Sequence, residues 1–302
     1  MSNPVHPSYN SPIVSIGVAV FNGEATLAVA LESLISQTFI DFEIIISDNA
    51  STDDTADICK IYCQKDNRIR YVRQPVNLGA TENFKFVLDQ ANGRYFMWAA
   101  ADDTRSTDFL QVNVNYLEKH PQYIASTSPN CFEGQENKEK DRICFSIEGD
   151  SSEVRFQQFF ENCWKSNAIF YSVMRTGPLQ ECKILGQSFL AADWAINLFL
   201  ASRGKIYRHN KGLMTLGING ESNSPDAYRK FRKEPIELLL PFYRVSRYTL
   251  SLSREFSFAA RFSLLITLLK LNLKAVVDQC HAKLYRLYCL HYKSKVNMNG
   301  LK

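Results

Sequence analysis

Two adjacent carboxylates, Asp102 and Asp103, follow an apolar stretch that reads FMWAAA. Two neighbouring negative charges beside a buried strand are costly unless water solvates them or a cation binds them. Their hard oxygens suit Mg²⁺ or Mn²⁺, ions that commonly bridge to phosphate oxygens. The alternative is that the pair only caps the following turn or helix, and the local sequence leaves both interpretations open.

Two further aspartates stand where a carboxylate could do chemistry. Asp48 follows the apolar stretch FEIIIS, and there it could accept hydrogen bonds from a nucleobase or a ribose. Asp193 stands beside Trp194 in an apolar segment, and burial raises the pKa of a carboxyl group, which suits a general base. Each has a structural alternative: a helix N-cap for Asp48, and a paired core or capping carboxylate for Asp193.

The segments around these carboxylates alternate between two patterns of apolar residues. Short, continuous apolar runs predict buried strands at residues 12–21, 42–47, 69–73 and 95–100. Apolar residues at helical spacing predict helices at residues 24–37, through Ile58 and Ile61 to Cys63, and at residues 81–90 and 108–119. Four strand–helix alternations predict an α/β fold with a mainly parallel central sheet flanked by helices.

Polar turns follow three of the predicted strands, after Phe21, Ser47 and Ala101. In open parallel sheets, ligands bind beyond the carboxyl ends of the strands, so these turns are expected at one ligand-binding edge. Farther along, residues 169–174 are predicted to form another strand, and the chain beyond Pro235 is predicted to be almost wholly helical.

Charge is unevenly distributed along the 302 residues. Residues 1–227 hold 20 Lys/Arg against 27 Asp/Glu, whereas residues 228–302 hold 15 against 4. An acidic body with a basic tail is typical of a chain that approaches an anionic surface with one end. Residues 256–292 combine apolar positions at helical spacing with recurring Lys and Arg. The tail is therefore expected either to lie on an anionic membrane surface or to pack on the body or a partner subunit.

The expected location is the cytoplasm, with at most a peripheral association at the cytoplasmic face of the membrane. Residues 1–12 have no basic start and no apolar run, so no secretory signal is expected. The eight cysteines follow no disulfide or metal-site spacing. No apolar stretch reaches the roughly 18 residues that span a bilayer. No nucleic-acid partner is expected.

Several segments, taken in order, resemble glycosyltransferase family 2, which has the GT-A fold. VSIGVAVFNGEATLAVALESLISQT resembles that family's first strand, Asn-Gly turn and helix, and FEIIISDNASTDDT resembles its second strand. VNLGATENFKFVLDQANGRYFMWAAADD is similar to the Asn-x-Gly turn, helix and strand that lead to its aspartate motif. FYSVMR followed by LAADWAINLFLASRG resembles its acceptor-side region. The resemblance covers about residues 12–224 in the family's order.

The resemblance implies a role for each matching residue. Asp193 would be the catalytic base, Asp103 would ligate a divalent metal, Mn²⁺ or Mg²⁺, and Asp102 would face the ribose or the donor sugar. The other nucleotide-binding positions would be Val20, Phe21, Asn22, Asp48, Asn77, Gly79 and Asn83. Among these, Asp48 would hydrogen-bond to the base, and the first three would contact the nucleotide mainly through their backbone.

The chain departs from the family's pattern at three points. Ala100 stands where the family often has Asp, and Ala192 stands where it often has Glu before the base. These two changes leave the metal ligand and the base intact. The late Arg or His that is often near the diphosphate has no counterpart in LMTLGINGESNS. The third departure leaves the stabilisation of the leaving group in question.

The function implied is the transfer of a single sugar from a nucleoside-diphosphate donor, UDP in the first place, to an acceptor hydroxyl. The acceptor would be a saccharide, lipid-linked or of a surface polysaccharide, and the displacement would be metal-assisted and inverting. The expected divisions are a disordered lead at residues 1–11, a GT-A domain at 12–227 and a basic helical extension at 228–302. A homo-oligomer is also expected.

The alternatives differ in class. A Rossmann dehydrogenase is disfavoured because FNGEATL lacks the G-x-G-x-x-G turn. A processive polysaccharide synthase is disfavoured because the Gln-x-x-Arg-Trp motif and the membrane helices are missing. The remaining alternative is a catalytically inactive homologue that keeps the GT-A fold and binds a nucleotide or a sugar.

Overall fold

The computed structural model describes residues 11–135, 145–164, 168–218 and 227–299, with side chains placed from 228 to 281 in the last range. The strands are β1 (Val14–Val20), β2 (Phe42–Asp48), β3 (Ile69–Arg73), β4 (Tyr95–Ala100), β5 (Thr104–Arg105), β6 (Tyr123–Thr127), β7 (Asn130–Phe132), β8 (Val173–Arg175), β9 (Lys205–Arg208) and β10 (Met214–Leu216). The α-helices are α1 (Leu27–Ile35), α2 (Thr55–Lys65), α3 (Ala80–Asp89), α4 (Phe109–Lys119), α5 (Ser152–Asn162), α6 (Thr176–Gln180), α7 (Ala192–Arg203), α8 (Ala227–Lys230), α9 (Tyr243–Leu252) and α10 (Phe258–Asn299).

Seven of the described strands form the central sheet, in the order β3-β2-β1-β4-β8-β6-β9. The first four are parallel to one another, β8 is antiparallel to both of its neighbours, and β6 is parallel to β9. The direction of winding changes between β1 and β4, which is where such sheets open a ligand crevice at the carboxyl ends of their strands. The predicted fold class, a mainly parallel sheet flanked by helices, is confirmed.

Helices cover both faces of the parallel strands, so these strands carry continuous apolar runs rather than alternating ones. The α1 side chains Leu27, Leu31 and Leu34 belong to the core cluster on one face. On the other face α3 approaches so closely that a Cβ on Gly17 would lie 2.6 Å from Val87 Cγ2. A glycine in the middle of β1 is therefore required by the close packing of helix on strand.

A second, smaller sheet supports the loop that follows β4. Its order is β5-β10-β7, with β10 antiparallel to β5 and parallel to β7. β5 begins immediately after Asp103. The pairing of β10 with β5 therefore brings the residue that follows β10, Gly217, next to the aspartate pair. The strands of this sheet are only two or three residues long, too short to show an apolar pattern in the sequence.

One predicted strand is partly wrong. Residues 169–174 were expected to be extended, but Ile169–Tyr171 forms a 3₁₀ turn and the strand begins only at Val173. Ala168 precedes the turn with a positive φ of 47°. Antiparallel pairing of β8 with β4 and β6 fixes where the strand starts, and that pairing is not visible in the local apolar pattern.

The described chain divides into two compact units. The first comprises residues 1–188 and 193–223, and the second comprises residues 189–192 and 224–302. The predicted domain boundaries stay a prediction, and residues 1–10 of the predicted disordered lead lie outside the described residues. In the second unit, Asn272 of α10 accepts from the Phe242 N–H at 2.8 Å and donates to Ser246 Oγ at 3.1 Å. No helix in the described part of the chain is long and apolar enough to cross a membrane.

Candidate functional site

The carboxylate at the end of β2, Asp48, is fully buried and hydrogen-bonded through both of its oxygens. Oδ1 accepts from the Ser51 backbone N–H at 2.8 Å, and Oδ2 accepts from the Tyr71 hydroxyl at 2.9 Å. Arg73 Nε lies 3.7 Å from the same Oδ2. Burial and the hydrogen bond to Asp48 raise the pKa of the Tyr71 phenol. Asp48 therefore organises the turn after β2, and its contact with a nucleobase stays a prediction.

The turn after β1 is bonded to the turn after β2. The Asn22 N–H donates to Ser51 Oγ at 2.9 Å, and Asn22 Oδ1 accepts from the Thr52 N–H at 2.9 Å. The Asn49 N–H donates to the Val20 carbonyl at 2.8 Å. These bonds hold two strand ends together across the crevice side of the sheet, so the backbone there is fixed before any ligand binds.

Val20 and Phe21 present different surfaces at this edge. The Val20 side chain is buried in the core, whereas the Phe21 ring is 48% exposed. Phe21 therefore offers the larger surface at this edge, and the backbone contacts of Val20 and Phe21 with a nucleotide stay predictions.

The predicted residues of the Asn-x-Gly turn form a second set of supports. Asn77 Oδ1 accepts from the Gly79 N–H at 2.8 Å and from Asn49 Nδ2 at 2.9 Å. Gly79 has a φ of 85°, which an L side chain rarely adopts. Asn83 is buried and donates to the Ser47 carbonyl at 2.9 Å while it accepts from the Ser47 hydroxyl. These side chains bond to the β2 end, which is consistent with a role in shaping a pocket.

The aspartate pair differs between its two members. Asp103 is only 4% exposed, and its Oδ1 accepts from the Gly217 N–H at 3.1 Å. Its Oδ2 is buried and has no hydrogen-bond partner among the described residues. Burial raises the pKa of Asp103 to about 6, against the opposing charge of Arg105. Asp102 is partly exposed, and a Cβ on Gly217 would collide with its carboxylate.

Arg105 places a buried positive charge beside this pair. It is 5% exposed, and one terminal nitrogen donates to the Trp98 carbonyl at 3.2 Å. Its Nε and the other terminal nitrogen are buried and, among the described residues, have no hydrogen-bond partner. Burial lowers the pKa of the guanidinium, and the negative charge of Asp103 opposes that shift. The two opposite charges therefore compensate each other electrostatically, while each keeps unbonded polar atoms.

Tyr171 is a shared neighbour of all three predicted catalytic-side carboxylates. Burial raises the pKa of its phenol, and so do the negative charges of Asp103, Asp102 and Asp193. The Arg105 charge acts in the opposite direction. The late aspartate predicted to be the base is thereby brought into the same electrostatic neighbourhood as the aspartate pair.

Asp193 itself lies in the first turn of α7. Its side chain is accessible to solvent, yet the surrounding protein desolvates the carboxylate and raises its pKa. The backbone N–H of Trp194 bonds to the carboxylate and partly offsets this effect. A carboxylate that a hydroxyl can reach, and whose affinity for a proton is raised, has the two properties that a general base needs.

Residues with a positive φ that are not glycine flank these elements. Asn22 and Ala50 follow β1 and β2 with φ of 51° and 61°, and Ala168 and Ala191 precede Tyr171 and Asp193 with φ of 47° and 58°. Such backbone is uncommon for residues with a Cβ and is enriched at functional sites. All four turns lead into or out of a segment that carries a candidate site residue.

The residues near Asp103 fit a divalent cation that takes only a few of its ligands from the protein. Its unpartnered Oδ2 is a hard oxygen of the kind that Mg²⁺ and Mn²⁺ prefer. Within the described ranges, no group of three or more His, Cys, Asp or Glu side chains could hold a metal ion. Such an ion would therefore take one or two oxygens from the protein and the rest from a phosphate-bearing ligand.

Three residues of this site were missed by the sequence analysis: Arg105, Tyr171 and Gly217. A cation two positions after the aspartate pair was only a weak signal for Arg105, since such an arginine is ordinarily solvated. The phenol within FYSVMR was a weaker signal for Tyr171, because that segment was interpreted only as a strand. Gly217 gave none, since its contact with Asp102 and Asp103 depends on the pairing of β10 with β5.

Comparison with known proteins identifies a family. The family model described as Glycosyl transferase family 2 matches residues 15–177. The chain is 29% identical over 151 residues to the Escherichia coli UDP-Glc:alpha-D-GlcNAc-diphosphoundecaprenol beta-1,3-glucosyltransferase WfaP, covering 50% of this chain and 57% of that protein. It is 29% identical over 200 residues to the Campylobacter jejuni GalNAc(5)-diNAcBac-PP-undecaprenol beta-1,3-glucosyltransferase, covering 66% of this chain and 62% of that one.

An uncharacterized glycosyltransferase of Haemophilus influenzae is 32% identical over 119 residues, 39% of this chain and 37% of its own. The chain thus spans less than two thirds of the length of each of these three relatives.

Solved structures share the fold. Staphylococcus aureus TarS, residues 1–349, superposes with a TM-score of 0.63 at 17% identity, covering 85% of this chain and 70% of that one. The mannosyltransferase PcManGT from Pyrobaculum calidifontis, solved with GDP-Man and Mn²⁺, superposes with a TM-score of 0.54 at 14% identity, covering 91% and 86%. The family match spans more than half of the chain and includes the Asp48 turn and the aspartate pair. The chain therefore belongs to glycosyl transferase family 2.

Proposed function

We propose that this chain is an inverting glycosyltransferase that moves one sugar from a UDP-linked donor onto a hydroxyl of a lipid-linked saccharide. The observation that carries the proposal is the buried Asp103 carboxylate beside Asp102, held at Oδ1 by the Gly217 N–H and without a partner at Oδ2 among the described residues. The Asp193 charge raises the pKa of the same Tyr171 phenol as the charges of this pair do. Such an arrangement supplies oxygen ligands for the donor side and a proton acceptor for the acceptor side within one site.

The reaction assigned to these residues is a single displacement at the anomeric carbon. The acceptor oxygen forms a bond to that carbon while the bond to the diphosphate oxygen breaks, and the electron pair leaves with the diphosphate. The acceptor hydroxyl loses its proton to the Asp193 carboxylate as the new bond forms. The raised pKa of Asp193 favours this transfer, because a more basic carboxylate binds the proton more strongly.

The donor side needs positive charge, because the departing diphosphate gains negative charge. A divalent ion held by Asp103, with Asp102 beside it, supplies that charge when it is bound. Arg105 adds a buried cation next to the same pair, where the late Arg or His frequent in the family has no counterpart. The Gly217 N–H orients Asp103 by holding its Oδ1 and leaves Oδ2 for the ion.

The nucleotide is assigned to the edge formed by the turns after β1, β2 and β3. Val20, Phe21 and Asn22 would contact it through their backbone, Asp48 would accept from the base, and Asp102 would face the ribose or the donor sugar. Asn77, Gly79 and Asn83 would shape that pocket. WfaP carries UDP-Glc in its name and TarS has been solved with UDP, which supports UDP as the nucleotide. PcManGT has been solved with GDP-Man, so GDP is the nucleotide to compare it with.

The acceptor is proposed to be lipid-linked because both named relatives act on undecaprenol-linked saccharides. A single addition per encounter is proposed, since the motif of processive synthases is absent from the sequence. An acceptor of that kind would bring the protein to a membrane surface.

The test of the proposal is a screen of nucleotide sugars in the presence of Mn²⁺ or Mg²⁺. Calorimetry with UDP, dTDP, GDP and CDP identifies the nucleotide, and transfer or slow hydrolysis of the matching sugar donors identifies the activity. We expect UDP to bind most tightly, and we expect Asp48→Ala to weaken that binding. Binding of a nucleotide without any transfer or hydrolysis across the donor set would instead favour the inactive homologue.

A further inference from the structure

The last helix of the second unit, α10, has two separate apolar faces. One face is buried within that unit and carries Leu264, Leu268, Leu271 and Ala275. Gln279, farther along the helix, accepts from the Arg232 guanidinium at 3.1 Å. The helix is therefore already packed along this side.

The second face is exposed. Its side chains recur every three to four positions, and their exposed fractions run from 37% to 89%: Phe258, Phe262, Leu265, Ile266, Leu269, Leu273 and Val277. We call these seven residues the exposed stripe. Over 20 residues the stripe extends about 30 Å along the helix. Soluble proteins rarely leave so continuous an apolar surface without a partner.

The stripe borders a groove of the same unit and begins with two aromatic rings. Leu239 and Leu240 line the groove together with Ile266, Leu269 and Leu273 of the helix. Phe258 is 89% exposed, and its ring stacks against that of Phe262 with centroids 6.5 Å apart. Two adjacent exposed phenyl rings at a helix start are suited to insertion among lipid acyl chains.

The positive charge of α10 favours an anionic surface over a second copy of the chain as the partner of the stripe. Between residues 258 and 299 the sequence has seven Lys or Arg and one acidic residue, Asp278. Lys270 lines the groove next to the stripe, and Lys274 is exposed one turn farther on. A second copy packed stripe to stripe would bring two strongly positive helices together. An anionic surface is instead complementary to this charge.

We propose that the exposed stripe docks on an anionic lipid bilayer, with α10 lying along the interface rather than across it. The phenyl rings at its start and the leucines behind them enter the headgroup region, while Lys270 lies beside lipid phosphates. Lys274 is paired with Asp278 at 2.9 Å and is not needed for this contact. The inference rests on the stripe and its charge. It does not depend on the transfer reaction.

The experiment is co-sedimentation of the full chain with phosphatidylcholine vesicles, with and without phosphatidylglycerol. We expect the protein to pellet with the anionic vesicles and to bind neutral ones about tenfold more weakly, as a basic interfacial helix does. The double change Phe258→Ser with Phe262→Ser should weaken anionic binding about tenfold, because it removes the most exposed aromatic surface. Lys270→Glu should weaken it on anionic vesicles only.

Matched controls lie in the first unit. Ile61→Ser removes a side chain that is 60% exposed on α2, and Lys60→Glu reverses a charge on the same helix. Both should bind vesicles as the wild type does, and melting curves establish that every variant is folded.

Two outcomes would overturn the proposal. One is wild-type protein that stays in the supernatant with both kinds of vesicle at low salt. The other is a wild-type dimer, seen by light scattering, that the Phe258 and Phe262 changes dissociate without altering vesicle binding. Because the readout is binding to lipid, a failed glycosyl transfer assay would leave this result unaffected.

Discussion

Two corners of the same sheet edge are built in opposite ways. At the end of β2, Asp48 has both carboxylate oxygens bonded by Ser51 and Tyr71, and the neighbouring turns are bonded to each other. Beyond β4, Asp103 and Arg105 are equally buried but keep polar atoms without hydrogen-bond partners among the described residues. Buried polar groups are normally satisfied, so the unbonded polar atoms of the second corner are where a water, a cation or a ligand would bind.

The two corners differ in whether their hydrogen bonds are complete without a ligand. The Asp48 corner can hold its shape with no ligand, because its hydrogen bonds are internal. The Asp103 corner keeps a carboxylate oxygen that only a cation, a water or a ligand can satisfy. Substitutions in the two corners should therefore produce different kinds of defect, and four of them test the contrast.

The largest expected effect is at Asp193, on the acceptor side of the unsatisfied corner. Asp193→Asn keeps the shape of the side chain but cannot take a proton, so transfer should fall by about 10²–10⁴-fold with donor binding unchanged. The raised pKa of Asp193 also predicts that wild-type transfer is lost on acidification at a pH above the ordinary carboxyl value of 3.8, as the base becomes protonated.

Initial rates across pH, together with calorimetry of the nucleotide, measure both effects. Asp57→Asn, an exposed carboxylate on α2, is the control and should leave the rates unchanged. Near-normal transfer by Asp193→Asn across the pH range would place the base elsewhere.

The second effect concerns the metal. Asp103→Asn removes the anionic oxygen, so metal-dependent transfer should fall by about 10²-fold, the range seen when one pre-organised electrostatic partner is lost. The Mn²⁺ dependence of nucleotide binding should weaken with it. Titration of Mn²⁺ in the presence of UDP measures this directly.

The metal role can be separated from a purely structural one. Asp103→Asn leaves Arg105 without its neighbouring negative charge, so some stability should be lost in any case. In the double variant Asp103→Asn with Arg105→Met neither charge remains, and stability should recover while the metal response does not. A single variant with lost stability but an unchanged Mn²⁺ response would instead support the capping interpretation.

The third effect is on stability. Arg105→Met removes the positive charge that opposes the desolvation of the buried Asp103 carboxylate, so the variant should be less stable, with the cost of a broken buried ion pair, about 3–5 kcal/mol, as the upper bound. Urea unfolding of the metal-free protein measures this loss. Equal stability of the variant and the wild type would show that Arg105 does not compensate Asp103.

The smallest effect is expected at the matching arginine of the other corner. Arg73 lies 3.7 Å from Asp48, but its side chain is 51% exposed. One terminal nitrogen of Arg73 also donates to the Ser51 carbonyl at 2.7 Å. Arg73→Met should therefore cost about 1 kcal/mol, the scale of a half-exposed ion pair and one hydrogen bond. Because Ser51 and Tyr71 continue to hold the Asp48 carboxylate, the same urea experiment should show a clear difference between the two arginines. A loss as large as that of Arg105→Met would remove the contrast between the corners.

Much of the fold was predictable because its signals are local. The third and fourth strands begin and end where the apolar runs predicted them, at residues 69–73 and 95–100. Strands covered on both faces need unbroken apolar runs, and such runs are visible in sequence. The polar residues at the strand ends were also visible, because the change from an apolar run to Asp48 or Asp102 marks the end of the strand in the sequence.

The site was predictable only in part. The sequence pointed to Asp48, Asp102, Asp103 and Asp193, and their roles stay predictions. It did not reveal Arg105 as the counter-charge, because a single arginine after an aspartate pair is ordinarily a solvated residue. It did not reveal Tyr171 either, because the turn that presents it replaced an expected strand.

The sequence by itself determined the four parallel strands and the helices between them, which polar residues end those strands, and where positive charge accumulates. These properties depend on the order of neighbouring residues and on the solvation of each side chain. Only the tertiary structure decided that Gly217 holds Asp103, that Arg105 is buried beside it, and that the charges of Asp193 and of the aspartate pair all raise the pKa of the Tyr171 phenol. Those contacts join segments far apart in the chain, and the pairing of β5 with β10 and of β8 with β4 and β6 brings them together. Pairing between distant segments is set by the packing of the whole unit, which no local pattern encodes.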